Sequence, residues 1–249
     1  MIRIEKVHVS GWDAAIRGMR NSFNSWGRSD SEFAQIAGTQ PESINVLNKL
    51  GWADRELMKR LSGNRGSHSK FRRYITVTFD ITAPLYWWKE FDTYKVGTVA
   101  NSCSTMHTIA AKPFERDDFS HEHLMVAADD DFPLDVLDLM ITTLNEYRSL
   151  YLETKEKKYW WQMIQLLPSS YNQKRTIILN YEVLSAMYTD RRYHKLDEWR
   201  KFCGWIETLP YANGIIFRER SDDEKIAELI LMAGETNPAN ELEDRECRN

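Results

Sequence analysis

The run FRRYITVTFDITAP (71–84) limits what this chain can fold into more than any other segment. β-Branched and aromatic residues alternate along it with polar ones, the period-two pattern of a strand with one buried face. It stops at Pro84, which cannot donate to a sheet ladder. Residues 1–9, MIRIEKVHV, alternate in the same way and read as a first strand. After Pro84 the period changes. Leu85, Trp88 and Phe91 fall on one face of a short helix over 85–95, with Pro84 at its first turn. Gly97 breaks that helix, and residues 98–110 return as an irregular or extended segment.

Helical spacing governs much of the remainder. Ser10 is a candidate cap for the helix GWDAAIRGMRNSF, with Asp13 in its first turn, and 24–31 is a polar loop. Residues 41–63 read as two helices about Gly51, ending at Gly63. Residues 132–168 read as helical up to Pro168, and 174–192 and 195–210 as two more helices. The last carries an apolar stripe of Leu196, Trp199, Phe202, Cys203 and Ile206. A final helix is expected over 220–232, followed by a polar tail. No internal repeat or linker interrupts the pattern. The expectation is one α/β domain over 1–219, with 220–249 as helix and tail.

Several function classes are disfavoured. The 249 residues are 42% hydrophobic and 28% charged, enough for a sizeable core. The net charge of −4 argues against a general nucleic-acid binder, and no apolar run approaches a membrane span. No apolar leader core begins the chain, so a cytoplasmic protein is expected. Cys103, Cys203 and Cys247 are too few and too scattered for a disulfide framework or a cysteine zinc site. His121-Glu122-His123 lacks the i, i+4 spacing that puts two imidazoles on one helix face, so no metal site is expected. There is no glycine-rich phosphate loop before a helix. Nine tryptophans stand either for an aromatic core or for faces on which planar rings stack.

Two features point to a ligand. Residues 89–107, KEFDTYKVGTVANSCSTMH, are dense in hydrogen-bonding groups and follow directly on the strand and helix. Two basic knots stand out from an acidic chain. One, over 59–73, holds Lys59, Arg60, Arg65, His68, Lys70, Arg72 and Arg73; the other is DRRYHK (190–195). Guanidinium forks match phosphate oxygens, and cations at a helix end also complement its dipole. Together these features suggest a phosphorylated small molecule rather than a polymer.

Residues 75–109 resemble, without gaps, the heart of the flavin-dependent thymidylate synthases. In that family a strand ending in Ala-Pro leads into a helix, then Arg-His-Arg, seven residues and Ser. Here the strand ends at Ala83-Pro84, and Thr93-Tyr94-Lys95, seven residues and Cys103 follow. Downstream, Asn180 matches a family Asn, Arg191 or Arg192 a later Arg, and Glu198-Trp199 a terminal pair. Glu182 stands where the family has Arg, and only Lys95 keeps a cation in the signature.

The resemblance implies an α+β fold with a central, mostly antiparallel sheet and long flanking helices. It implies a homotetramer in which dUMP or a related nucleotide is methylated from methylenetetrahydrofolate, FAD carrying hydride from NADPH. Carried over, Lys95, Asn101, Ser102, Cys103, Ser104, Arg191 and Arg192 would hold the nucleotide. His68, Arg72, Arg73, Thr93, Tyr94 and Asn180 would hold the flavin. Trp87 and Trp88 either flank a ring or belong to the core. Cys103 is a candidate nucleophile toward a pyrimidine ring; the alternative is a buried, inert thiol. The rival readings are altered chemistry on another pyrimidine nucleotide or one-carbon donor, and a non-catalytic nucleotide-binding or structural relative.

Overall fold

A computed structural model of the chain describes residues 2–36, 44–63, 67–125 and 133–218. Its centre is β4 (Thr76–Pro84). β4 pairs antiparallel with β1 (Arg3–Ser10) on one side and with β6 (Asn172–Asn180) on the other. β5 (Val99–Ser102) closes the far edge of β6, giving the order β1-β4-β6-β5. Val77, Phe79, Ile81 and Ala83 of β4 are wholly buried, as the alternation requires. The antiparallel sheet with flanking helices agrees with the α+β fold expected from the sequence. The predicted strand start moves. Residues Ser67–Arg73 form a 3-10 turn that buries Phe71, and Thr76 is the first strand residue.

The tryptophans settle into that core. Trp87 and Trp88 lie on α3 (Leu85–Phe91), fully buried, so they belong to the core and offer no open stacking face. Trp199 and Phe202 of α8 (Asp197–Glu207) pack on Trp87 at centroid distances of 4.9 and 5.6 Å. Trp205 packs on Phe79 at 4.7 Å. Cys203 lies on the same buried stripe, and burial pushes its thiol up to about 12.

Three expected helical stretches fold otherwise. Residues Ile44–Lys49 form β3, paired in a hairpin with β2 (Glu32–Ile36). Short apolar runs fit both periods, and the partner strand decides. Only Trp52–Gly63 is helical there (α2). Asp30, remote in sequence, receives the free N–H groups of Ala53 and Asp54 at 2.9 and 3.1 Å. Those bonds hold the Asp30 carboxyl below its usual range, that from Ala53 foremost. Gly51 is required at this junction, because a Cβ would sit 2.1 Å from an Asp30 carboxylate oxygen.

The first half of the expected 174–192 helix is β6. Thr176, Ile177 and Ile178 are β-branched, and Ile177 and Leu179 alternate into the core. The helix α7 is confined to Tyr181–Arg191. The long 132–168 helix breaks at Lys155, which has φ 59°, into α5 (Pro133–Thr154) and α6 (Lys157–Leu166). Their contact surrounds Leu144 and Met163 and, with Phe114 and Phe119, forms a second, smaller core. Ser10 does not cap α1 (Trp12–Arg20). Gly11 takes the cap position, and the Ser10 hydroxyl meets that of Thr76 at 2.9 Å. The expected 220–232 helix lies outside the described residues, as does Cys247.

One buried ion pair ties the N-terminal third together. Arg20 Nε donates to Asp54 Oδ1 at 2.6 Å, with both side chains almost wholly buried. Asp54 Oδ2 accepts from Ser29 and Ser31, each at 2.7 Å. Removing the carboxylate would leave a buried guanidinium unpaired. Asp54→Ala is expected to cost about 3–5 kcal/mol, read from urea unfolding midpoints. A cost within ~0.5 kcal/mol, typical of a neutral surface site, would show that the pair does not brace the fold.

Candidate functional site

Pro84 ends β4 with ψ 152° and launches α3, which is only seven residues long. The chain then turns through 92–98 and enters β5. Gly97 has φ 82°, a left-handed conformation that suits glycine, and a Cβ there would press within 3.1 Å of Asn180 Nδ2 and the Val183 side chain. The turn is therefore folded close over the start of α7. An open hollow of about 340 Å³ lies at this corner, lined by Phe91, Asp92, Tyr94, Lys95, Thr98 and Ala100. Lys95 is exposed and makes no ion pair among the described residues.

The wall behind the hollow is a charged network. Glu90 Oε2 accepts from Arg191 Nη1 at 2.9 Å and from Trp199 Nε1 at 3.0 Å, with His194 Nε2 at 3.1 Å. The Leu196 N–H donates to His194 Nδ1 at 3.2 Å, which fixes the proton of the neutral ring on Nε2, facing Glu90. Arg191 Nε donates to the Tyr94 hydroxyl at 3.0 Å, and that hydroxyl donates to Asp190 at 3.2 Å. Burial raises the Tyr94 phenol, with Arg191 opposing. A second pair stands beside it. Arg175 donates to Asp92 at 2.7 Å and to Gln173 Oε1 at 2.9 Å, and its guanidinium lies 4.0 Å from the Trp88 ring centroid. Gln173 Nε2 in turn donates to the Cys103 carbonyl and the Thr105 hydroxyl, each at 3.1 Å.

The residues expected at a nucleotide site divide accordingly. Lys95 lines the hollow, beside Tyr94, which was expected at the flavin; Thr93, also expected there, has its hydroxyl spent on the Glu90 carbonyl at 2.7 Å. Asn101 and Ser102 are exposed on β5, paired with Thr176 and Arg175 of β6, and Cys103 and Ser104 follow at its end. Arg191 lies behind Tyr94 rather than in the lining. Arg192 lies over the Tyr188 and Tyr193 rings, and its buried Nε has no hydrogen-bond partner among the described residues. Cys103 is exposed at the sheet edge, so the buried-thiol alternative is corrected. No side chain among the described residues bonds its sulfur.

Of the residues expected to hold flavin, Tyr94 lines the hollow and Thr93 stands on the same turn, but His68, Arg72, Arg73 and Asn180 do not join that lining. His68 and Arg73 are exposed on the Ser67–Arg73 turn. Arg72 is buried, with contacts to Glu182 at 3.5 Å, the Ser185 hydroxyl at 3.3 Å and the Ser62 carbonyl at 3.3 Å. Burial lowers the Arg72 pKa, and Glu182 partly restores it. Asn180 caps α7, its Oδ1 accepting from the N–H of Glu182 and Val183 at 3.1 Å. These side chains do not fit FAD as they stand, since none offers a buried, uncommitted cation to its pyrophosphate. Arg65 lies outside the described residues.

Sequence reasoning missed Glu90, Asp92 and Thr98 as individuals, although all three fall in the polar stretch 89–107. It missed Arg175 because that residue was assigned to a helix. Among the described residues no cluster of three His, Cys, Asp or Glu side chains could hold a metal ion. His121 Nδ1 stands 2.9 Å from the Phe119 carbonyl, and His123 pairs with Asp197 at 3.1 Å. No helix among the described residues is long and apolar enough to cross a membrane.

No protein-family model matches the sequence, and neither does any curated protein. Solved structures do match. The flavin-dependent thymidylate synthase ThyX of Helicobacter pylori, complexed with FAD and dUMP, superposes with a TM-score of 0.60. That match has 18% identity and covers 87% of this chain and 98% of ThyX. The chain has the ThyX fold. The UMP/dUMP methylase PolB of Streptomyces cacaoi, bound with 5-Br UMP, also matches, with a TM-score of 0.52 and 14% identity over 85% of this chain and 92% of PolB.

Within this ThyX-fold chain the cysteines should respond differently to a thiol reagent. In a Cys247→Ser background, iodoacetamide is expected to alkylate Cys103 and to spare Cys203 until the protein unfolds, as read by mass spectrometry of peptides. Equal labelling of both in the native state would contradict the placement of Cys103 at the open edge.

Proposed function

We propose that this chain binds a pyrimidine nucleoside monophosphate, such as dUMP, in the hollow at the 92–100 corner. The observation that carries the reading is the position of Lys95. It is an unpaired cation on the rim of a hollow formed by the segment that resembles the synthase signature, in a fold whose solved examples hold dUMP and 5-Br UMP. Lys95 meets the phosphate. The Phe91 and Tyr94 side chains give the ring an apolar wall, and Asn101 and Ser102 stand nearby on the edge strand as donors and acceptors.

At the level of reaction there are two readings. As an enzyme, the chain methylates dUMP or a related nucleotide from methylenetetrahydrofolate, with FAD as hydride carrier and NADPH as reductant. As a non-catalytic relative, it holds the nucleotide alone. The paired cations around the hollow favour the second. Complementation of a thymidine-requiring strain separates them: growth supports the synthase, and absence of growth from a well-expressed chain supports the binding protein. A homotetramer belongs to the same family-based proposal, and light scattering reads it directly.

The binding step has its own test. Ligand that binds only the native state raises its stability, by about 2.7 kcal/mol at a hundredfold excess over Kd. Saturating dUMP is therefore expected to raise the melting temperature, and Lys95→Ala to weaken dUMP about tenfold, the loss of one charge-assisted hydrogen bond. No stabilisation by dUMP, UMP or dCMP would overturn the proposal. Unchanged affinity in Lys95→Ala would remove that residue from the site.

A further inference from the structure

Four cations of the sheet and its flanking elements share a property. Arg191 is paired with Glu90 at 2.9 Å, Arg175 with Asp92 at 2.7 Å, Lys174 with Asp80 at 3.2 Å and Arg72 with Glu182 at 3.5 Å. Three of the four carboxylates, those of Glu90, Asp80 and Glu182, also take a second partner. Trp199 and His194 converge on Glu90, Thr176 donates to Asp80 at 2.7 Å, and Ser69 donates to Glu182 at 3.3 Å. A cation taken out of water needs a counter-charge close by. In an anion-binding site the ligand supplies it on arrival. Here the chain supplies it beforehand.

Rebinding any of these cations to a ligand phosphate means stripping a carboxylate of its partner inside a partly dry site. The cost is largest for Arg72, which is only 9% exposed. The four pairs are not equivalent. The Arg191 contact is short and its carboxylate carries two further donors. The Arg72 contacts are all 3.3–3.5 Å, and its Nε is buried with no partner. Arg72 is thus a guanidinium held loosely by Glu182, its one counter-ion among the described residues. Glu182 lies two residues beyond Asn180, which underlies the Gly97 turn of the hollow.

We propose that this chain has internal carboxylates in place of ligand phosphates, so that its site accepts a ligand with one anionic group, met by Lys95, and does not hold a dinucleotide such as FAD. Glu182 is the residue that closes the second anion position, by neutralising Arg72. The hollow agrees in size. At about 340 Å³ it lies at the small end of ligand clefts, which run from ~300 to ~1,000 Å³. The inference rests on the nucleotide reading for what does bind and stands apart from it for what does not.

The test compares anions on the full chain. Calorimetric titration uses deoxyuridine, dUMP, dUDP and FAD, and visible absorbance of the purified protein reports bound flavin. dUMP is expected to bind about tenfold more tightly than deoxyuridine, and dUDP within about threefold of dUMP, because Lys95 is the one cation in the lining of the hollow. The wild-type protein is expected to be colourless and to take no FAD on titration. Glu182→Gln keeps an acceptor for Ser69 and Arg72 while removing the charge. It is expected to gain about tenfold in affinity for dUDP or FAD.

A yellow wild-type protein with about one flavin per chain overturns the inference and leaves dUMP binding standing, as does dUDP binding tenfold more tightly than dUMP. Failure of every nucleotide on the wild type overturns the reading of the hollow. In that case the gain in Glu182→Gln still decides the role of Glu182: its appearance supports the closed anion position, and its absence in a folded variant refutes it.

Discussion

The β4–β6 ladder is the constraint on which the remaining structure hangs. It runs in unbroken register from Thr76 opposite Asn180 to Pro84 opposite Asn172. Both ends of that ladder are turning points. At one, Pro84 releases the chain into α3 and the Gly97 turn. At the other, Asn180 releases it into α7. Because the strands are antiparallel, Lys174 and Arg175 of β6 come level with the C-terminal half of β4, and Arg175 is brought beneath α3. Residues 92–100, 175 and 191, distant in sequence, meet because one register is fixed by buried Val77, Phe79, Ile81, Ile177 and Leu179. A slip of one residue would turn that apolar set out to the other face.

Charge at the corner is arranged in layers. Lys95 is outermost and unpaired. Tyr94 separates it from Arg191, which is held between Glu90 and the faces of Tyr94 and Trp199, 5.6 and 5.1 Å from their centroids. Trp199 both packs in the core and donates to Glu90, so the network is anchored to the most buried part of the molecule. The inner layers are committed to partners within the chain, and the nucleotide reading proposed above draws on the outer layer alone. That division sets this chain's corner apart from a site whose cations wait for phosphate.

Much of the fold was legible because it was local. The alternation in 76–84, the Pro84 break and the apolar stripe on 196–206 each carry their own evidence, and the structure keeps all three. Segments whose state is decided by a distant partner were not legible. Ile44–Lys49 is a strand because Glu32–Ile36 lies beside it, and Asn172–Asn180 because β4 does; neither partner is visible within a helical-length window. The site follows the same rule. The polar stretch 89–107 could be located from composition. What its side chains do could not, because Arg72, Arg175 and Arg191 are each neutralised by a carboxylate that is 83 to 110 residues away.

β5 has a further consequence. It is a four-residue edge strand, exposed along its whole length and attached to the sheet through β6 alone. The hollow's rim and the Asn101–Ser104 segment therefore border the core without being part of it. Substitutions there touch no buried side chain of the core, so they come at almost no cost to folding. A scaffold built this way separates two kinds of change. Its interior can stay intact while side chains are exchanged, residue by residue, at the margin.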